Sequence, residues 1–525
     1  MLLILSGAYV DSELMAEFGK LPPAFLPVGN RRLYTHQLAQ HGRGGQPVYL
    51  TVPGGFVLDE GDQRDLARRE VRLYRSGAGL SLGAALHDFL ADMDVQGRLD
   101  VLYGDTLISD PAPGGSDWLA VGHTDTHYNW REEAPRRGQP GGVWSGMFSF
   151  SDARLLRQRL REQGDFLAAV DSYGERIGGL RHHAVARWLD FGHVHTFFDS
   201  RRQITTERHF NHLEVHHGVV AKSSGDRAKM CAEAAWFEQA PMPVKPFLAP
   251  YMGRIDGPAC GYAVEYLHLA TLNELFVFGR LPEPVWRRIF GACGDYLQRA
   301  GALPPGPPLT PDHARQTYLD KTLRRLDDYA AQSGCDLDAH WRLNGRAAPS
   351  LRTMASEAAA ALMAAPCTPS FIHGDLCFSN ILFDFRAGSI KLIDPRGTDA
   401  AGRPSAYGDR RYEVGKLAHS VLGLYDHIVA GYFDCAADGQ SLRFRLLAER
   451  CGPLQRLFLG TSFAGRLPVE WDCYPLMVVL FLSMLPLHAD SPLRQQALMA
   501  NGIRLYLEWR GHDHPADGGP QPPLL

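Results

Sequence analysis

Short apolar runs of strand length recur through the first part of the chain. Leu2–Leu5, residues 47–52 and Leu99–Tyr103 are almost wholly apolar, which marks strands covered on both faces. Between them, residues 33–40 and 82–93 repeat apolar positions at helical spacing, and the charged stretch 62–74 reads as a further helix. Residues 6–27 read as a loop. Alternation of this kind predicts an α/β domain with a mostly parallel sheet. Ligands of such sheets sit at the carboxyl ends of strands, where the loop after Leu5 and the pair Gly104-Asp105 fall.

The patterning changes after residues 199–203, a plausible hinge. Residues 213–222 read as a hairpin ending in Lys222, 226–239 as a helix carrying Glu233, 262–267 as a strand, and 271–277 as the start of a helical region. Residues 440–510 are helix-like. The most apolar run, 476–487, is interrupted by Ser483 and Pro486 and is too short to span a bilayer. Residues 138–142 read as a surface turn and the Pro/Gly-rich end, 511–525, as a disordered tail. The resulting division is 1–203, 204–510 and a tail 511–525.

The chemistry concentrates in Phe371-Ile372-His373-Gly374-Asp375-Leu376-Cys377-Phe378-Ser379-Asn380, followed by Ile390-Lys391-Leu392-Ile393-Asp394. A hairpin turning at residues 384–389 would bring Asp375, Asn380 and Asp394 to one cleft. A kinase needs one Asp to accept the proton of the acceptor hydroxyl, and an Asn and a second Asp to hold metal. The spacing from Asp375 to Asn380 is that of the protein-kinase catalytic loop, with Asp394 in place of the metal-binding Asp. A strand Lys oriented by a helix Glu holds the nucleotide phosphates in such enzymes, and Lys222 and Glu233 fit that pair. Tyr262 to Leu267 fits the strand whose backbone, at Glu265 and Leu267, would pair with adenine.

His373-Gly374-Asp375 and Ile393-Asp394-Pro395-Arg396 resemble the aminoglycoside phosphotransferase and choline kinase group, small-molecule kinases with a protein-kinase-like, two-lobed α+β fold. The resemblance covers about residues 205–510. It implies Asp375 as catalytic base, Asn380 and Asp394 as Mg²⁺ ligands, and ATP as phosphate donor. Gly408 to Leu417 resembles a helix start of the same kinases, with Asp409 as its cap. Their glycine-rich loop has no counterpart, because Arg208-His209-Phe210-Asn211 stands in its place.

A second resemblance, over residues 1–200, is to sugar-phosphate and choline-phosphate nucleotidyltransferases with a Rossmann-like fold. Pro23-Ala24-Phe25-Leu26-Pro27-Val28-Gly29 is similar to their Pro-Lys-x-Leu-x-Pro-Val-Gly segment, and Leu82-Gly83-Ala84-Ala85 to their base-reading element. Val143-Trp144-Ser145-Gly146 is similar to their sugar-side strand. Leu102-Tyr103-Gly104-Asp105 and Trp188-Leu189-Asp190-Phe191-Gly192 are similar to their two metal-binding stretches. The resemblance implies that Asp105 and Asp190 share a Mg²⁺, that Gly7 lies in the triphosphate loop, and that Gly83 contacts the base of a second NTP, CTP in this reading. The loop Ser6-Gly7-Ala8-Tyr9-Val10-Asp11 departs from the family. It has one Gly and an acidic residue where the family has several glycines and an Arg. Ala24 replaces the usual Lys, which leaves Lys20, Arg31 or Arg32 to supply positive charge.

Composition narrows the classes. The chain has 525 residues, 45% apolar, with a net charge of −4, which offers neither a nucleic-acid surface nor a basic membrane helix. The nine cysteines form no Cys-x-x-Cys pair, which fits a reducing cytoplasm. His123 and His127, His193 and His195, and His212 with His216 and His217 lack Cys partners, so they read as surface rather than zinc sites. The sequence therefore reads as a bifunctional enzyme. Its C-terminal half phosphorylates a small hydroxyl compound, and its N-terminal half couples that phosphate to a nucleotide for surface polysaccharide precursors. The alternative is a kinase with a non-catalytic nucleotide- or sugar-binding N-terminal domain. Neither reading needs nucleic acid or membrane insertion.

Overall fold

The computed structural model describes residues 1–42, 45–124, 132–133, 142–204, 212–255, 260–304, 306–307, 309 and 312–513. Contacts divide the chain into two compact units. One comprises Met1–Leu58, Asp62–Thr205 and Phe278–Leu281; the other comprises Asp59–Gly61, Thr206–Val277 and Pro282–Leu525.

The first unit is built on β1 (Leu2–Leu5), β2 (Val48–Pro53), β3 (Val71–Ser76), β4 (Leu99–Tyr103), β6 (Trp118–Gly122), β7 (Gly142–Phe150) and β8 (Arg181–Ala184), with β5 (Thr106–Ile108) and β9 (Trp188–Asp190) as a separate ribbon. The main sheet runs β8-β6-β7-β4-β1-β2-β3. β3, β2, β1 and β4 are parallel, whereas β7 runs antiparallel to both its neighbours. β1 is buried along its length, as a central strand covered on both faces must be. In register, Leu3 faces Tyr49 on one side and Val101 on the other. Phe89, Leu90, Phe148, Phe150, Leu156 and Tyr173 pack over one face of this sheet. β1 and β4 both end at the edge carrying Ser6-Gly7 and Gly104-Asp105, as the parallel topology requires.

Two expectations fail here for local reasons. The loop 6–27 contains the helix Ser12–Phe18, whose N-cap Asp11 accepts from the Leu14 amide, and a 3₁₀ turn Pro23–Phe25. The charged stretch 62–74 is the end of the helix Glu60–Arg68 followed by β3. Glu70 takes a positive φ of 56° between them, and the Val71–Ser76 backbone then pairs with β2 at the edge of the sheet. Of the residues placed in the hinge, 199–201 end a helix, Val194–Arg201.

The second unit begins with an antiparallel sheet of β10 (His212–His216), β11 (Val219–Ser223), β12 (Tyr251–Ile255) and β13 (Gly261–Glu265), in the order β10-β11-β13-β12. The helix Arg227–Gln239 packs on it, capped by Asp226, which accepts from the Lys229 amide. β14 (Ala270–Thr271), β15 (Ile381–Asp384) and β16 (Ser389–Leu392) form a small antiparallel sheet. The rest is mainly helical around Cys473–Ser483, which is buried along nearly its whole length. Among residues 440–510 the strand Ser441–Leu446 was not expected; its strict alternation of exposed and buried positions is the period-two signal of a half-buried strand. The last helix, Pro492–Asp513, extends past the predicted tail boundary. Positions 138–141, 208–211 and 514–525, on which a turn, the replaced loop and the remaining tail were placed, lie outside the described residues. Among the described residues no helix is long and apolar enough to cross a membrane.

Candidate active sites

In the second unit, Phe371 ends a short strand, Pro369–Phe371, and the chain then turns through Gly374 at φ 79°. A β-carbon on Gly374 would stand 2.9 Å from Arg396 Cβ, so the close passage of these segments requires glycine. His373, 1% exposed, holds the turn. Burial pulls its imidazole down to about 4, so the ring is neutral. Its Nδ1 then accepts from the Asp375 amide at 3.3 Å, and Nε2 donates to the Ile393 carbonyl at 2.9 Å. The His373 and Gly374 amides donate to Glu413 at 2.8 and 2.9 Å. Burial pushes this carboxyl up to about 7 although the two amides oppose it.

The Asp375 side chain lies between two partners. Lys416 Nζ is 2.8 Å from Oδ1, and Asn380 Nδ2 donates to Oδ2 at 3.0 Å. Burial alone would raise the Asp375 carboxyl; Lys416 and then Arg396 hold it well below the usual carboxylate range. Asn380 also donates to the Asp375 carbonyl at 2.9 Å. Its amide nitrogen is thus committed, and Oδ1, which accepts a long hydrogen bond from Ser379 Oγ at 3.4 Å, is the atom that could face a cation. The Ile393 amide donates to the Asn380 carbonyl at 3.1 Å, so the β15–β16 hairpin ties Asn380 to the segment carrying Asp394. Asp394 sits at φ 57°, a left-handed conformation that Asp tolerates better than most residues. Lys222, 4% exposed, reaches Glu233 at 2.6 Å and Asp394 at 3.2 Å. Burial would lower the Lys222 ammonium, but Asp394 and Glu233 raise it, which keeps it charged.

Five residues singled out from the sequence, Lys222, Glu233, Asp375, Asn380 and Asp394, therefore converge. Glu265 closes β13 opposite Val219, with its amide given to the Pro250 carbonyl. Leu267 lies just beyond, its carbonyl accepting from Leu269. Sequence reasoning missed Lys416, Arg396 and Tyr412. Lys416 stands two turns into the helix Arg410–Val421, and only the fold brings it to Asp375. Asp409 caps that helix, accepting from the Arg411 amide.

In the first unit, β5 and β9 place Asp190 opposite Thr106, the residue after Asp105. The Phe191 amide donates to the Asp105 carbonyl at 2.8 Å. A β-carbon on Gly192 would stand 2.9 Å from Asp105 Oδ2 and 3.2 Å from Asp190 Oδ1, so both carboxylates face one small space. Burial first, and Asp190 second, push the Asp105 carboxyl up to about 7. Asp105 Oδ1 is buried without a hydrogen-bond partner among the described residues. Two carboxylates crowded this way fit a divalent cation, which would be bound by this pair and by oxygens of its substrate. Among the described residues no group of three or more His, Cys, Asp and Glu side chains converges.

The remaining N-terminal positions are more scattered. Gly7 is pressed against β3: a β-carbon there would clash with Ser76 Oγ. Lys20 is exposed, with Nζ 4.4 Å from the Tyr9 ring centroid. Gly83 lets its helix pack against Gly164–Phe166, where a β-carbon would stand 2.9 Å from the Gly164 carbonyl oxygen. Arg32 is a structural cation, 1% exposed and paired with Asp62 at 2.7 Å. It is thereby removed from the cations that could serve the triphosphate loop.

Residues 203–444 match the family described as Phosphotransferase enzyme family. The kinase-type reading of the C-terminal half is thereby borne out, and this part of the chain is a phosphotransferase domain. No curated protein matches the chain. Among solved structures, a nucleoside-diphosphate-sugar pyrophosphorylase from Vibrio cholerae RC9 is 16% identical. It covers 39% of this chain and 100% of its own, with a TM-score of 0.32. A glucosamine kinase with glucosamine, ADP and phosphate is 14% identical over 58% of this chain and 82% of its own, with a TM-score of 0.36. A choline kinase from Cryptosporidium parvum Iowa II is 11% identical over 59% and 88%, with a TM-score of 0.34.

Proposed function

We propose that this chain carries out two consecutive transfers. The domain of residues 204–510 moves the γ-phosphate of ATP to a hydroxyl of a small molecule, and the domain of residues 1–203 joins the resulting phosphomonoester to a nucleotide. The observation that carries the first step is the convergence of Asp375, Asn380, Asp394, Lys222 and Glu233. Asp375 stands ionised and can orient and deprotonate the hydroxyl. Lys222, aimed by Glu233, binds nucleotide phosphates, and the backbone at Glu265 and Leu267 receives adenine. Asn380 and Asp394 supply the oxygens for Mg²⁺, which when bound neutralises charge on the transferring phosphoryl group.

The second step rests on Asp105 and Asp190, whose carboxylates crowd one space. Attack of a phosphate monoester on an NTP brings anions together, and this pair is suited to hold the Mg²⁺ that such a reaction needs. Gly7, Lys20 and Gly83 are assigned to the nucleotide, with CTP as donor on the strength of the motif resemblance. The chain would then serve synthesis of nucleotide-activated units for surface polysaccharide in the cytoplasm.

A binding-only N-terminal domain is the second reading, favoured by the buried ion pair of Arg32, which leaves only Lys20 and Arg31 of the three cations named for the triphosphate loop. One experiment separates them: the full-length protein is incubated with ATP, each NTP and a panel of alcohols, and products are followed by mass spectrometry. Phosphorylated acceptor together with its nucleotidyl adduct and pyrophosphate supports two transfers. Phosphorylated acceptor alone, with every NTP, supports the binding-only domain. Absence of ADP with every acceptor removes the kinase assignment.

A further inference from the structure

Beside Asp375 the second unit gathers four cations around one buried phenol. Lys321 and Arg325 lie one turn apart on the helix Lys321–Ser333, on the same face. Arg396 follows Asp394-Pro395, and Lys416 lies one turn after Tyr412 on the helix Arg410–Val421. Arg396 Nη2 donates to Tyr412 Oη at 2.6 Å, with its guanidinium carbon 4.6 Å from the ring centroid. Lys321 Nζ is 5.9 Å from the same centroid. Arg325 Nη1 is braced on the Ser483 carbonyl at 3.1 Å.

The charges do not balance within the protein. Against Lys321, Arg325, Arg396 and Lys416 stand the carboxylates of Asp375 and Glu413 and, beside Arg325, the exposed Asp328, and Glu413 is engaged by two backbone amides. Among the described residues neither Lys321 nor Arg325 has a carboxylate within ion-pair distance. Partly buried cations in excess of carboxylates are costly unless a further anion completes the set. Two titrations reflect the excess. Burial would raise the Tyr412 phenol, yet Arg396, Lys321 and Lys416 bring it down to about 7. Tyr412 would raise the Lys321 ammonium, but burial with Arg396, Arg325 and Lys416 brings it to about 8. The nucleotide phosphates already have Lys222 and the metal-binding oxygens. Lys416 contacts Asp375 and Arg396 acts on its carboxylate, and Lys321 and Arg325 join that pair through Tyr412, on the side where the hydroxyl must be held.

We infer that the phosphate acceptor carries an anionic group, a carboxylate or a phosphate, bound by Lys321 and Arg325 with Arg396 at their side. The inference rests on Asp375 being the centre of phosphoryl transfer. In that step the acceptor oxygen bonds to the γ-phosphorus, the bond from that phosphorus to the bridging oxygen breaks, ADP leaves, and the hydroxyl proton passes to Asp375. A polycationic acceptor would meet repulsion here.

The test uses the full-length protein and matched probes: glycerate and gluconate, glycerol 3-phosphate and fructose 6-phosphate, and the uncharged glycerol, glucose and fructose. Acceptors of one anionic class should exceed their uncharged counterparts in kcat/KM by about 10–100-fold, the scale of a charge-assisted contact. The carboxylate and phosphate arms tell which anion is recognised. Lys321→Met and Arg325→Met should raise KM for that acceptor by about the same factor, with kcat and the KM for ATP unchanged. Preference for uncharged or cationic acceptors such as choline or kanamycin, or variants that leave acceptor KM unaltered, would overturn the inference. If no compound elicits ADP, the kinase assignment falls, and calorimetry without ATP decides the anion site alone. Saturable binding of one of these anions that Lys321→Met abolishes upholds it, and no binding by any of them overturns it.

Discussion

Replacing Asp105 by Asn tests the proposed metal pair without depending on turnover. The wild-type carboxyl is raised from 3.8 to about 7 by burial and by Asp190. That is roughly three pK units, and at 1.36 kcal/mol each it sets about 4 kcal/mol as the ceiling for the cost of ionising Asp105 in the folded unit. The sign follows from linkage. In the folded protein Asp105 keeps a proton that the unfolded chain loses near pH 4. The penalty is therefore absent below about pH 4, grows as the pH rises, and is complete above about pH 7. Asn has the same shape and no charge. Without metal, Asp105→Asn should thus stabilise the surrounding structure at pH 8 by up to about 4 kcal/mol and change little at pH 4.5. Mg²⁺ should reverse the order at pH 8, because only the wild type presents both carboxylates to it. Hydrogen exchange of peptides spanning β4–β5 and β9 reads this locally, so that unfolding of the other unit does not intrude; 1.4 kcal/mol corresponds to about tenfold in protection. Equal protection of the two proteins at pH 8 in EDTA, or equal gains from Mg²⁺, would refute the reasoning.

Asp375→Asn should lower kcat by about 10²–10⁴-fold, the usual contribution of a positioned base, with little change in the KM for ATP; steady-state rates close to wild type would remove its assignment. Lys222→Met should weaken ATP binding by about 10–100-fold, because it removes the charged partner of both Glu233 and Asp394; isothermal titration with ATP measures it. Asn380→Ala should be partly rescued by raised Mg²⁺ whereas Asp375→Ala should not, and identical metal titrations would merge the two roles. The Tyr412 phenol, ordinarily titrating near 10 but held at about 7, should give a phenolate absorbance step near neutrality. Tyr412→Phe should delete that step and Arg396→Met should move it to higher pH.

The sequence made the kinase-type centre legible because its parts are local or follow a fixed spacing. Asp375 and Asn380 are five residues apart, and a single hairpin brings Asp394 back to them. Lys222 and Glu233 are eleven residues apart, across one strand and one helix. Lys416, Lys321 and Arg325 reach the same region only through the packing of separate helices, and no local pattern signals that meeting. The N-terminal strands with uniform burial were equally plain. β3 was not, because an edge strand rich in Arg and Glu neighbours has the composition of a charged helix, and backbone pairing with β2 decides the matter. The helix Ser12–Phe18 was hidden by its seven-residue length, although Asp11 before Ser12 is the kind of capping residue that announces one.

The two units carry opposite electrostatic imbalances, and this gives the proposed reaction order a physical basis. In the first, Asp105 and Asp190 crowd one space with one carboxyl held at about 7. That arrangement favours a cation brought from outside, and the cation in turn favours an anionic substrate. In the second, Lys321, Arg325, Arg396 and Lys416 outnumber the carboxylates of Asp375 and Glu413 around Tyr412, an arrangement that favours an anion directly. A phosphomonoester formed at Asp375 adds charge to an acceptor already matched to those cations. Once Asp375 has given up the proton taken from the hydroxyl, repulsion between its carboxylate and the new phosphate promotes release. The released product has the chemistry that a metal-loaded Asp105–Asp190 pair would accept. A hydroxyl compound has no phosphomonoester at the reacting position for that pair to hold, so in the proposed order phosphorylation comes before nucleotidyl transfer.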